Sequence, residues 1–114
     1  MSVEPYSGWR EPTIRRLLLS AKDVYEVRKH LAVLSHMAVE EGFEDMVEVL
    51  DDIAPLIDEL EEAYAETIRS AMEKAPRLYE KVKRELVRRR RYLKEYIEEY
   101  EKGVEEEEEE EFIE

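Results

Sequence analysis

The sequence predicts an all-α protein, an antiparallel up-down-up three-helix bundle with long helices and a flexible acidic C-terminal tail. Apolar residues recur at alternating spacings of three and four along most of the chain, which is the period of an amphipathic helix. Only three glycines and four prolines occur in 114 residues, and several stand where a periodic segment begins or ends. Long helices joined by short turns pack as antiparallel neighbours.

The first helix is predicted over residues 12–41. Residues 1–11 lack helical periodicity and form an irregular N-terminal arm, from which we expect Trp9 to pack on the bundle. Pro12 suits the first turn of a helix, and Gly42 is a typical residue just beyond a helix end.

The second helix, predicted over residues 43–74, has the most regular pattern. Pro55 lies inside it and predicts a local kink, because proline removes one backbone hydrogen bond. The unbroken pattern on both sides predicts that the helix continues on the same face. Its apolar positions follow a heptad seam, as in a coiled coil: Met46, Leu50, Ile53, Ile57, Leu60, Tyr64, Thr67 and Ala71.

The third helix is predicted over residues 76–102, since Pro76 disfavours helix at the residue before it. The bundle domain then spans residues 12–103, and residues 104–114 form the acidic tail. A row of tyrosines on this helix, added to the seam of the second helix, gives more apolar surface than one small bundle needs to bury: Tyr79, Tyr96 and Tyr100.

The composition indicates a soluble, cytoplasmic protein from a thermophile. The chain has no Asn, Gln or Cys and is 43% charged, and scarcity of thermolabile residues beside many charged ones is a habit of hyperthermophile proteins. Without Cys there is no disulfide, thiolate metal site or cysteine nucleophile. No apolar run approaches the length of a membrane span, and the N-terminus lacks the features of a signal sequence.

The net charge of −13 is sorted into blocks. Residues 30–68 hold twelve acids and no Lys or Arg, whereas residues 69–97 hold eleven bases and four acids. Antiparallel packing would place these two blocks side by side, so we expect them to compensate each other within the bundle.

The strongest local signal is the run Arg88, Arg89, Arg90 and Arg91, followed by Tyr92. Four consecutive helical residues spread over about 300°, so some of these arginines must face solvent. Arg88, Tyr92 and Tyr96 share one helical line, which permits stacking of the guanidinium on the rings. The residues predict either a polyanion-binding patch, as in nucleic-acid binders, or ion pairs with the second helix; the acidic net charge favours the latter.

The tail combines seven glutamates, residues 105–111, with an apolar tip at Phe112 and Ile113. Such a segment is either a solubilising tail or a docking motif for a basic groove with an apolar pocket. It could also fold back onto the arginine run and compete with anionic ligands.

No residues predict catalysis or a cofactor. The chain has no glycine-rich phosphate loop, nucleophile elbow or zinc-protease motif, so we expect a protein that is not an enzyme and has no small-molecule substrate. Glu44, Glu48 and Asp52 form a line of acids on the second helix and are the candidate metal ligands. A solvated acidic face is the simpler interpretation of that line.

The acidic stretch from Ala38 to Asp52, continued by residues 57–62, resembles PhoU-like helical domains. Glu48 and Asp52 match the acidic repeat of that family, and Asp58 and Glu59 fall where a second acidic cluster would lie. The resemblance covers about 25 residues and implies a metal-binding domain that regulates phosphate uptake. That family usually duplicates the helical unit, and Pro55 interrupts the acidic helix here.

The sequence therefore predicts a non-enzymatic interaction or assembly module with a protein partner, most simply a second copy of itself. A nucleic-acid-associated protein that uses the arginine run is the first alternative. A PhoU-like metal-binding regulator is the second.

Overall fold

The computed structural model describes residues 8–102, and within this range every regular element is a helix. The elements are α1 (Glu11–Glu41), α2 (Glu44–Lys74), α3 (Pro76–Arg89) and a short α4 over residues 93–102. The predicted all-α class is confirmed. None of the described helices combines the length and apolar character needed to span a bilayer.

The two long helices form an antiparallel hairpin. Each has 31 residues and is about 46 Å long. Gly42 ends α1 as predicted, at φ 76° in the left-handed region, and the N–H of Phe43 donates to the Ala38 carbonyl at 2.9 Å. Farther along the hairpin, Arg28 donates to Glu61 at 2.7 Å across the pair. Burial raises the pKa of the Glu61 carboxyl, although Arg28 acts in the opposite direction.

The predicted continuous helix over residues 76–102 is wrong, because the chain leaves the helical conformation at Arg90 (φ −137°, ψ 92°). The N–H of Leu93 then donates to the Arg90 carbonyl at 3.0 Å and closes a turn into α4. An unbroken helix would place four like charges within one turn and direct part of them at the apolar seam. The break leaves all four arginines exposed and lets α4 fold back on the core.

The core lies where all four helices meet, at the open end of the hairpin. Trp9 packs against it, as predicted. The buried residues come from the first half of α1, the second half of α2, and both short helices: Ile14, Leu17, Leu18, Ala21, Ile68, Ala71, Tyr79, Val82, Leu86, Leu93, Ile97 and Tyr100.

The tyrosine row belongs to this core and does not add an exposed stripe. The Tyr79 hydroxyl donates to Glu101 at 2.5 Å, and Lys83 contacts the same carboxylate at 3.0 Å, which joins α3 to α4. The Tyr100 hydroxyl donates to the Ala21 carbonyl at 2.8 Å and joins α4 to α1. The apolar surface of Tyr79 and Tyr100, expected to remain for self-association, is therefore buried within one chain.

The heptad seam of α2 is correct only in part. Leu50 is buried and Ala71 lies in the core, but Leu60 is 42% exposed, and Ile68 is buried where the pattern had placed Thr67. A straight helix repeats every 3.6 residues rather than 3.5, so a long heptad row drifts off the contact line. The drift moves part of the predicted seam to the surface.

Candidate interaction surface

The outer half of the hairpin, residues 27–60, contributes no residue to the hydrophobic core of the described structure; we call it the outer hairpin. The buried core residues extend along α1 up to Ala21 and along α2 from Ile68 onward, and Tyr25 and Tyr64 pack against them. The molecule is elongated as a result, with extents of 60 × 37 × 24 Å. The α1–α2 seam buries Ala38 and Leu50 in this part of the structure.

Ten of the twelve exposed large apolar side chains in the described structure belong to the outer hairpin. Seven of them are 39% to 62% exposed and form what we call the apolar face: Val27, Leu34, Met37, Met46, Val49, Leu56 and Leu60. Scattered exposed apolar residues are normal on a protein surface, whereas a contiguous group marks an interaction site.

The seven side chains share one side of the hairpin. At 100° per residue, those of α1 fall within an arc of about 80°, and those of α2 within another arc of about 80°. Each helix buries one residue in the seam between them, Ala38 in α1 and Leu50 in α2. Viewed along its own helix from the N-terminus, each arc is displaced from that buried residue in the same rotational direction. An antiparallel pair has an approximate twofold axis normal to its plane, so the same rotational side of each helix is the same face of the hairpin.

The apolar face carries few polar groups. Within the α2 arc, every residue from Met46 to Leu60 is apolar, because Ile53 fills the remaining position. His30 is the one polar side chain in the α1 arc between Val27 and Met37.

Acidic side chains border this face. Asp45, Asp52 and Glu59 form a row on α2 just outside Val49 and Leu56. Glu40 and Glu41 lie at the tip of the hairpin, beside the turn at Gly42. All five carboxylates are exposed, and we call them the acidic rim.

The outer hairpin is strongly acidic overall, with nine Asp and Glu against Arg28 and Lys29. None of the nine forms an ion pair with Lys or Arg in the described structure, although His36 contacts Glu40 at 3.4 Å. The expected compensation of the acidic block by α3 fails here. With 14 residues, α3 is about 21 Å long and less than half the length of α2.

The arginine run lies at the end of α3 and in the turn that follows. Arg88, Arg89, Arg90, Arg91 and Tyr92 are all exposed, and none of these arginines forms an ion pair within the described range. The predicted ion pairs with the second helix are thus missing there.

The predicted stacking of Arg88 on Tyr92 is also wrong, because the break at Arg90 removes their shared helical line. Lysines of α1 take that role. The Lys22 ammonium lies 5.5 Å from the centre of the Tyr92 ring, and Lys29 lies 5.0 Å from Tyr25.

Tyr25 and Tyr96 pack edge to face at 5.0 Å, and Lys29 lies 5.5 Å from the Tyr96 ring. Helical spacing within α1 would have placed Lys22, Tyr25 and Lys29 on one side, but the contact with α4 depends on the turn at Arg90. Sequence reasoning therefore missed this cluster.

An open groove of about 620 Å³ lies beside this cluster. Four glutamates against two lysines make it a poor site for an anion, and its lining holds no histidine, serine or threonine. The residues that line it are Tyr25, Lys29, Met72, Glu95, Tyr96, Glu98, Glu99, Glu101 and Lys102.

The candidate metal ligands Glu44, Glu48 and Asp52 are all exposed along α2. In the range 8–102, no group of three or more His, Asp or Glu side chains is arranged to hold a metal ion. Phe112 and Ile113, with the rest of the tail, lie outside the described residues.

The comparisons with known proteins give no family for this chain: no protein-family model, no curated protein and no solved structure matches it.

Proposed function

We propose that this protein is a non-enzymatic interaction module that binds another protein chain through the apolar face of the outer hairpin. The observation that carries the proposal is the uncovered apolar arc of α2, where Val49 and Leu56 are 55% and 62% exposed. Burying such side chains against a partner gains about 25 cal/mol per Å² of apolar surface removed from water.

The hairpin also suits a binding role mechanically. The four-helix core holds its base, so the outer hairpin is presented as a preformed arm, and a preformed surface loses little conformational entropy on binding. Met37 and Met46 lie on the face, and methionine side chains adapt to partner surfaces of differing shape.

A second copy of the chain could occupy the same face, which is the self-association expected from the sequence. Identifying the protein that can be crosslinked to the apolar face distinguishes a second copy from another protein.

Site-specific photo-crosslinking in cells that express the full chain tests the proposal. A photoreactive amino acid replaces Leu56 on the apolar face, and the matched control replaces Val39, which is 63% exposed but lies on the other side of α1. We expect a covalent adduct with a protein from position 56 and little from position 39, and mass spectrometry identifies the adduct as a second copy or another protein. Equal adduct yields at both positions, or none at position 56, would contradict the proposal.

Binding of a polyanion by the arginine run is a second candidate, favoured by the exposure of Arg88–Arg91 and Tyr92 without ion pairs in the described structure. It predicts that the full chain binds single-stranded nucleic acid with an affinity that falls steeply with salt. Replacing the four arginines by Gln should abolish that binding. Binding that survives this replacement excludes the arginine run as the site.

A further inference from the structure

We infer that the occupant of the apolar face is an amphipathic helix of another protein whose apolar stripe is flanked by Lys or Arg. The inference rests on the proposed function and specifies the chemistry of the partner. Its basis is the pairing of an uncovered apolar face with the acidic rim.

The charges along the outer edge of the α2 arc decide the occupant. Asp45, Asp52 and Glu59 follow the outer edge of the α2 arc for two full heptads, and they remain exposed without Lys or Arg partners in the described part of the chain. An apolar helix laid along the face would place its flanking positions over this row. Basic residues at those positions would form intermolecular ion pairs, whereas acidic ones would be repelled.

The same charges disfavour a second copy. Two outer hairpins that met through their apolar faces would bring two acidic rims together, and like charges across an interface oppose association. The chain has a basic amphipathic segment of its own in α3, and the first half of α1 is amphipathic with equal numbers of bases and acids. Their apolar sides are already buried, through Val82 and Leu86 in α3 and Ile14 and Leu18 in α1.

The geometry matches the helix-in-groove mode of recognition. Two antiparallel helices with aligned apolar arcs form a shallow groove between them, and a third helix fits there by contacting both arcs. The two methionines on the face suit partners with differing apolar side chains. The base of the protein already packs its own helices in this way, but none of the helices within residues 8–102 lies on the apolar face.

Titration of the full chain with a fluorescently labelled peptide tests the inference. The peptide has leucines at helical spacing flanked by lysines and is about four turns long. Two control peptides accompany it. One replaces every lysine by glutamate, and the other has the same composition in an order that destroys the apolar stripe.

We expect the leucine–lysine peptide to bind and to become helical, and its affinity to fall as salt is added. The Leu56→Asp variant should weaken binding by about tenfold or more, because the leucine that the peptide would bury is lost and a charge takes its place. The Val39→Asp variant adds the same charge outside the face and should leave binding unchanged or slightly tighter.

Neutralising part of the acidic rim should weaken binding and reduce its salt dependence. The variant carries Asp45→Asn, Asp52→Asn and Glu59→Gln. Its matched control removes three exposed acids elsewhere, so net charge changes equally while the rim remains: Glu62→Gln, Glu66→Gln and Glu80→Gln. Circular dichroism of each variant shows whether its helices are retained.

Three results would overturn the inference: equal binding of the glutamate peptide, equal binding of the peptide without a stripe, or equal weakening by the rim variant and its control. Light scattering on the chain alone separates the inference from the proposed function. A dimer that Leu56→Asp dissociates and Val39→Asp preserves would retain the apolar face as a protein-binding site but assign it to a second copy.

Discussion

At the scale of residues, two buried tyrosines, Tyr79 and Tyr100, make the stability of the fold depend on pH in the alkaline range. Burial, with the hydrogen bond to Glu101, raises the pKa of Tyr79, and burial raises the pKa of Tyr100. Both hydroxyls therefore stay protonated in the folded protein at a pH where tyrosines of the unfolded chain ionise, near pH 10. Their contribution to stability is complete below that pH and is lost as the pH rises above it.

We predict that the free energy of unfolding falls between about pH 10 and pH 11 by about 1 kcal/mol for each of these two tyrosines. Replacing Tyr100 by Phe should remove the contribution of one tyrosine to this fall in the free energy of unfolding. It should also cost about 1 kcal/mol at neutral pH, through the lost hydrogen bond to Ala21. Denaturant unfolding across this pH range measures both effects, and an unchanged slope in the variant would contradict the assignment.

Truncating an apolar side chain should cost much more stability in the core than on the apolar face. Ile68 is 1% exposed, so Ile68→Ala should lower the free energy of unfolding by about 2–5 kcal/mol. Leu56 is 62% exposed on the same helix, so Leu56→Ala should change it by no more than about 0.5 kcal/mol. Chemical unfolding at low protein concentration checks both. A large loss for Leu56→Ala would mean that the face is covered in the free protein.

At the scale of elements, Gly42 sets the geometry of the hairpin turn. Its φ of 76° lies in the left-handed region, and an added Cβ would meet no neighbouring atom. Gly42→Ala should therefore destabilise the protein through backbone strain alone, by about 1–2 kcal/mol. Glu41→Ala at the adjacent helical position should stay within about 0.5 kcal/mol in the same thermal unfolding measurement. Similar losses in both variants would show that the turn has no special backbone requirement.

The long helices could be predicted from sequence because their signals are local. Periodicity, Gly42 and Pro76 define α1 and α2 to within a residue of their observed limits. The break at Arg90 was harder to predict, since no glycine or proline marks it. Breaking the helix loses backbone hydrogen bonds but keeps the arginines out of the apolar seam. Which state is more stable depends on the apolar surface that α4 buries against the core, and this is a tertiary contact.

The site depended more strongly on tertiary structure. The heptad pattern identified Met46 and Leu60 as apolar positions of α2 but assigned them to a buried seam. The drift of the heptad row turns them away from the contact with α1, and the short α3 does not extend far enough to cover them. The tyrosine row is predicted to be surplus, but α4 brings Tyr100 back to the core. Of the surplus expected from the seam and the tyrosine row, Met46 and Leu60 of the seam are exposed, whereas Tyr79 and Tyr100 are buried.

At the scale of the whole molecule, the charge blocks no longer compensate each other as the sequence had suggested. The basic residues gather around the four-helix end, and the outer hairpin keeps nine exposed acids without Lys or Arg partners in the described structure. The asymmetry is what gives the proposed partner its basic character. The similarity to PhoU-like domains stays a prediction from the acidic stretch.

The central claim is that in the described structure the outer hairpin, apart from the contact of Lys29 with Tyr96 at its base, is held by its own seam, while the remaining helical residues form a four-helix core. Hydrogen–deuterium exchange of the free chain, measured by mass spectrometry at low and high protein concentration, tests it directly. Backbone amides in residues 27–60 should exchange faster than those around Ile68 and Leu93, by the same margin at both concentrations. Equal protection of the two halves, or protection of residues 27–60 that grows with concentration, would show that the apolar face is already covered and would contradict the claim.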